Sequence, residues 1–224
     1  PVGHHVIRVA RNAGIAALFL LTAMAGILSG VLFAFAGDLP QVTTLDNYNP
    51  NTITRIRAAD GQVVGEFATE RRVIVTYDDI SPVLRSAIIA TEDAEFERHF
   101  GVNIWRIFVA AATDIIERRR DQGASTLTQQ VARNLDQFGL TKQKLFERKI
   151  REAVLAIQIE KRYTKKEIFT IYCNQMYLGH GAYGVEAASK LYFAKSNKDR
   201  NLEEAAMITG IFQTPERKSP FVDM

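Results

Sequence analysis

The longest feature of the hydrophobic pattern is a run free of charge from Ala13 to Ala36. Coiled as a helix at about 1.5 Å per residue, it reaches about 36 Å, enough to cross a hydrocarbon core of about 30 Å. Past it the period drops to two. Ile53 to Ala58 and Gln62 to Phe67 alternate on either side of Asp60-Gly61, a hairpin signal, and Arg72 to Tyr77 supplies a third β-prone run. From Asp79 onward the pattern is helical. Ser81 reads as an N-cap with Pro82 at the first helical position, leading into Val83, Leu84, Ala87 and Ile88. Ile104 to Ile116, with Trp105, Phe108 and Val109, is apolar almost throughout: a core helix, or one inserted at a membrane interface. Thr141 opens a long helix to about Tyr163. Capping boxes at Thr164 to Glu167 and Asn201 to Glu204 start two more, and Gly179, Gly181 and Gly184 break the chain before a short helix ending near Phe193. The expectation is a tail (1–12), a transmembrane helix (13–36), a linker with a small β-sheet (37–78) and a mainly α domain (79–224).

Charge gives the span a direction. Arg8 and Arg11 precede it, whereas residues 37–54 contain no Lys or Arg, so the N-terminus is expected in the cytoplasm and the rest outside. Ala34-Phe35-Ala36 imitates a signal-peptidase site, but the apolar core exceeds the about 7–15 residues of a signal peptide, which favours an uncleaved anchor. The net charge of +3 owes two of its units to Arg8 and Arg11, and nothing resembles the concentrated basic face of a nucleic-acid protein. The single cysteine, Cys173, excludes an intrachain disulfide and sits in an apolar helical pattern, as a small buried hydrophobe would.

Two stretches carry candidate chemistry. Ala90 to Gly101 puts Glu92 at the end of an apolar helical run, just before a turn that uses Asp93, His99 and Gly101. A carboxylate leaving a packed helix there faces a cleft, and partial desolvation makes such a Glu a usable general base or acid. Gly123 to Asn134 opens a helix with two hydroxyls followed by two adjacent amides. It offers backbone N–H groups, Ser125, Thr126, Gln129 and Gln130 to a polar, anionic ligand. On the long helix, Arg148, Lys149 and Glu152 share one side, which as a surface ion pair would contribute only a few tenths of a kcal/mol.

Five patterns then occur in order: E-D-x-x-F-x-x-H-x-G (Glu92 to Gly101), G-A-S-T-L-T-Q-Q (Gly123 to Gln130), R-K-x-x-E (Arg148 to Glu152), Y-x-N-x-x-Y-x-G (Tyr172 to Gly179) and G-V-x-A-A-x-x-Y-F (Gly184 to Phe193). In these the chain resembles the peptidoglycan glycosyltransferases, the murein-polymerising domain of class A penicillin-binding proteins and their monofunctional relatives. The approach through Asp38-Leu39-Pro40 and Thr54 to Gly61 resembles the linker of the bifunctional branch.

The resemblance implies a lysozyme-like, two-lobed helical domain that polymerises lipid II by inverting displacement of undecaprenyl pyrophosphate. By motif position Glu92 is implied as the base, and Glu152 as a second acidic residue that positions the donor pyrophosphate and would take a divalent cation (Mg2+ or Mn2+) where one is used. No other cofactor is implied. Arg133, Arg148 and Lys149 are implied to neutralise phosphate oxygens. Asp93, Phe96, His99, Ser125, Thr126, Gln129, Gln130 and Asn134 complete the implied substrate-binding set. The implied partners are lipid II and the nascent glycan strand, the lipid bilayer of the bacterial inner membrane and other cell-wall synthesis proteins, with no nucleic acid. Three departures from the pattern occur: Arg133 stands for Lys, Ala194 for Gly, and Lys218-Ser219 for Tyr-Asn before Pro220. The family domain is expected to run on into another helix, and no Ser-x-x-Lys of a transpeptidase occurs in these residues. A lytic enzyme on the same scaffold would also use two carboxylates, but neutral glycan does not require the bases at 133, 148 and 149. An idle scaffold has no need of Glu92 and Glu152.

Overall fold

In the computed structural model, which describes residues 2–37, 39, 42–47, 50, 52–68, 70–107, 109, 123, 125–135, 138–140 and 145–221, the charge-free run lies within one helix, α1 (Val2–Ala36). It starts well before Ala13, because nothing between Val2 and Ala13 interrupts the backbone hydrogen bonds and the stems of Arg8 and Arg11 are good helix formers. Residues Ile7–Val31 are long and apolar enough to cross a membrane, and described side chains such as Leu18, Phe19 and Ile27 are exposed. Residues Pro1–Leu39 form one compact unit and Pro40–Met224 a second.

The second unit is mainly helical. Its hairpin forms as expected: β1 (Thr54–Arg57) pairs antiparallel with β2 (Val63–Phe67), turning at Asp60-Gly61 with Gly61 at φ +83° and a register shift between Ile56 and Arg57. Every β1 residue is exposed, so its alternation marks no buried face. The third β-prone run does not join this sheet. Only β3 (Arg71–Arg72) is strand, and it pairs in parallel with the distant β4 (Ala182–Tyr183). Further along that run, the Asn174 side chain meets both the N–H and the C=O of Val75, at 3.0 and 2.8 Å, taking the place of a neighbouring strand. In the linker, a 3₁₀ turn (Val42–Asn47) buries Val42 and Leu45, and Arg162 and Tyr163 both bond to Asp46.

Among the described residues, six further helices of eight or more residues build the core: α2 (Pro82–Glu92), α3 (Leu127–Asn134), α4 (Leu145–Arg162), α5 (Lys165–Gln175), α6 (Val185–Phe193) and α7 (Leu202–Ile211), followed by a single turn, α8 (Pro215–Lys218). Helix α2 packs on α7, and α3 packs on both α4 and α5. Their facing residues, among them Leu84, Ile88, Val131, Leu155, Ile159, Phe169 and Ile208, are wholly or almost wholly buried, each contributing about 1.5–3 kcal/mol of transfer free energy. Both capping boxes form, at Thr164/Glu167 and Asn201/Glu204. Cys173 is buried, and burial pushes its thiol up, so it stays protonated.

Helix α6 ends on Ala194 in the left-handed conformation, at φ +54°. That is the position where the sequence pattern expects glycine, and a Cβ there is strained. Ala194→Gly should stabilise the protein by about 0.5–1 kcal/mol, read as a rise of a few degrees in Tm; an unchanged or lower Tm would show that the Cβ is accommodated without strain.

Candidate active site

Helix α2 ends at Glu92, and Asp93 caps it with a non-helical backbone, φ −157° and ψ 75°. The Asp93 carboxylate is buried and collects donors from three places. Its Oδ2 accepts from His99 Nε2 at 2.7 Å and from the Leu127 amide at 2.9 Å, and Arg106 Nη1 lies 3.4 Å from Oδ1. The Gly101 N–H donates to His99 Nδ1 at 3.1 Å, which leaves the ring proton on Nε2, facing Asp93. Gly101 is at φ +104°, and a Cβ on it would stand 2.6 Å from the Ala156 carbonyl. Only glycine lets this turn close against α4. Phe96, expected to meet substrate, is instead wholly buried, packed against Phe169 and His99.

The start of α3 is equally inward. Thr126 Oγ1 donates to the Gly101 carbonyl at 2.6 Å and accepts from the Gln129 N–H at 3.1 Å, while Gln129 Oε1 takes the Thr126 N–H at 3.0 Å. Thr126 and Gln129 are therefore buried capping groups, not open ligands. The Leu127 and Gln129 amides, expected to be free for an anion, are occupied. Asn134 donates back to the Gln130 carbonyl at 2.9 Å and lies 3.3 Å from Met176 Sδ.

The remaining motif side chains make two further groups of contacts, one between α2 and α3 and one on α4. Gln130 Nε2 donates to Glu92 Oε2 at 2.9 Å, whereas Glu92 Oε1 is shielded and has no donor among the described residues. Lys149 Nζ donates to Ser125 Oγ and to Glu152 Oε2, both at 2.8 Å. Arg148 Nε lies 3.2 Å from Glu152 Oε1, close enough for an ion pair but too poorly aligned for a hydrogen bond. The Glu152 side chain is only 1% exposed, so this is no solvated surface pair. Arg133 is half-buried and pairs with no acid among the described residues. Lys149 and Arg148 thus set two cations against the one carboxylate of Glu152, and a partly buried positive surplus is relieved by an anion. No three His, Cys, Asp or Glu side chains among the described residues converge as metal ligands.

Two neighbours were assigned no role from the sequence, although Tyr172 opens the fourth pattern. Arg106 donates to the Glu92 carbonyl at 3.3 Å and to the Gly123 carbonyl, tying the base-bearing helix end to the start of the second motif. Tyr172 is buried, stacked on Phe212 with centroids 5.2 Å apart, and its hydroxyl has no partner among the described residues. Burial, and then the Glu92 charge, push this phenol well above its ordinary value, so it stays neutral beside the carboxylate. Ile104, Trp105, Ile107 and Val109 are exposed, Trp105 by 76%. The rest of the apolar run to Ile116, Arg118 to Gln122, Ala124 and the expected helix start at Thr141 lie outside the described residues.

A family model described as Transglycosylase matches residues 60–224. "Penicillin-binding protein 1A" of Neisseria lactamica is 39% identical over 198 residues, covering 88% of this chain and 24% of that protein. The protein of the same name from Rickettsia bellii is 39% identical over 209 residues, covering 92% and 26%. The chain thus spans about a quarter of the length of the curated relatives it matches.

Asp93 offers the sharpest test of this geometry. In Asp93→Asn an amide NH2 must face either Arg106 or the His99 and Leu127 donors, so about 1–3 kcal/mol of stability should be lost, with faster hydrogen exchange at the Leu127 amide. A variant that melts and exchanges like the parent would show that Asp93 is not the clamp.

Proposed function

The chain belongs to the transglycosylase family, and from that membership we propose that it is a membrane-anchored peptidoglycan glycosyltransferase that polymerises lipid II. The observation that carries this reading is Glu92: one carboxylate oxygen held by Gln130, the other without a donor among the described residues. A carboxylate oriented through one oxygen and left without a donor at the other is built to accept a proton. In the proposed reaction the donor is the growing glycan on its undecaprenyl pyrophosphate and the acceptor is lipid II. As the acceptor's sugar 4-hydroxyl attacks the anomeric carbon, Glu92 takes its proton. The C–O bond to pyrophosphate breaks on the opposite face, which inverts the axial linkage to β.

Lys149, Arg148 and Arg133 would stabilise the departing pyrophosphate, with Ser125 holding Lys149 in line. Glu152 would then orient the cations. A divalent ion on Glu152 would have to compete with Lys149 and Arg148, each of which stands against one of its oxygens. Arg133 presents a planar fork where a lysine would present a point charge, suited to two phosphate oxygens at once. Asp93, Phe96, His99, Thr126 and Gln129 would serve by holding these groups in place.

Helix α1 would be the anchor, in a single pass with the arginine-flanked end in the cytoplasm and the catalytic unit on the outer face of the inner membrane. Its exposed apolar side chains support a lipid environment, as exposed Trp105 and Ile104 do for a bilayer-facing surface on the catalytic unit.

The test is polymerisation of labelled lipid II. Glu92→Gln keeps the shape but cannot take the proton, so turnover should fall by about 10²–10⁴-fold in a protein that melts normally. Near-parental turnover by that folded variant would remove Glu92 from the mechanism. Lys149→Ala should cost about a hundredfold in rate, roughly 3 kcal/mol of transition-state stabilisation, with Lys149→Arg recovering part of it. Arg148 still pairs with Glu152 in both variants, so little stability should be lost. A small rate effect with an equal loss of Tm would make Lys149 a structural ion-pair partner only.

A further inference from the structure

Behind the Asp93–His99 pair lies a second polar cluster, centred on two residues, Glu160 and Lys165, that neither the five patterns nor the proposed chemistry uses. Glu160, two turns beyond Glu152 on α4, is buried, its side chain 7% exposed. Its Oε1 accepts from Thr128 Oγ1 on α3 at 2.6 Å and from Lys165 Nζ on α5 at 2.7 Å. Lys165 Nζ also donates to the His99 backbone carbonyl at 2.7 Å and sits 4.6 Å over the face of Phe96. Glu160 Oε1 comes within 3.9 Å of His99 Nδ1, the nitrogen that accepts the Gly101 N–H. Three helices and the 93–101 turn therefore meet on one ammonium–carboxylate pair.

We infer that Glu160 and Lys165 are positioning residues for the general base, holding His99 so that its Nε2–H fixes Asp93. Asp93 in turn fixes the start of α3, and with it Gln130 against Glu92. The order of contacts is continuous. Lys165 grips the main chain of His99, His99 grips Asp93 at 2.7 Å, and Asp93 grips the Leu127 amide at 2.9 Å. Gln130 follows one turn along α3 and reaches Glu92 at 2.9 Å. A pair that only stapled α4 to α5 would need no contact with the His99 carbonyl or the Phe96 ring. The orientation of a base is worth large factors in rate, and displacement by about 1 Å costs up to about a hundredfold.

The role assigned to the pair rests on the proposed polymerisation, so the experiment reads both turnover and structure. In the full chain, Glu160→Gln, Lys165→Met and the double variant are compared with the parent and with Glu92→Gln for kcat and KM on labelled lipid II. Hydrogen exchange is followed at the Gly101 and Leu127 amides, with the Ala205 amide, bonded to Asn201 in α7, as a remote reference. Positioning predicts kcat down by about tenfold with KM within about twofold, faster exchange at Gly101 and Leu127, and none at Ala205. The double variant should lose no more than the worse single one, because both act through His99.

Parental kcat and parental Leu127 exchange in a folded Glu160→Gln protein would overturn the inference. Equal acceleration at all three amides would overturn it too, since that marks general softening. Should Glu160→Gln fail to fold, Thr128→Val removes one contact of the same cluster and is read in the same way. If the parent itself does not polymerise lipid II, the functional reading falls, while the exchange data still decide the positioning.

Discussion

The described geometry of the site depends on one buried charge. Asp93 sits at the end of α2 with no access to water, and a lone carboxylate there would cost several kcal/mol. It is tolerated because a histidine ring, a helix-start amide and, at longer range, a guanidinium converge on it. Those donors come from the turn, from α3 and from the segment after Gly101, so satisfying one carboxylate forces three stretches of chain into a single arrangement. Glu92 precedes Asp93 directly and inherits that fixed position.

A steric constraint works alongside the electrostatic one. The turn can bring His99 to Asp93 only by passing against the backbone of α4 at Ala156, where any side chain on Gly101 would collide. Thr126 then bonds to the Gly101 carbonyl, so the start of α3 is registered on the same turn. The cation-bearing face of α4 and the base-bearing end of α2 are thereby referred to one short segment. Burial of the helices supplies the bulk of the stability, and these polar contacts select which packing is used.

Sequence revealed what local spacing encodes and missed what tertiary pairing decides. The boxes at Thr164/Glu167 and Asn201/Glu204 and the turn at Asp60-Gly61 are complete within four residues, and each formed as expected. The site motifs named the residues that gather there, but not which way they point. Thr126, Gln129 and Phe96 turn inward, because a cap and a core position satisfy them better than solvent does. The partner of β3 lies more than a hundred residues away, and Asn174 replaces the strand that the run after it was expected to find. Neither is written in any short window. Arg106 carried no pattern of its own, and Tyr172 opened one without a role attached, since an arginine in an apolar run and a tyrosine in a helix are ordinary until Glu92 is found beside them.

The carboxylates of the unit divide by how fully they are satisfied. Asp93 has a donor or cation against each oxygen, and Glu152 is flanked by Lys149 and Arg148. Glu160 takes two donors on a single oxygen. Groups so engaged move little, which suits parts that build a site. Glu92 alone of the four has a shielded oxygen with no donor or cation beside it among the described residues, although Gln130 orients the other. Leaving a shielded acceptor unmet costs about 1–3 kcal/mol, a penalty that a purely structural position would shed by recruiting a donor. Among these four carboxylates, the unfilled acceptor is the place where the network of the described residues is incomplete.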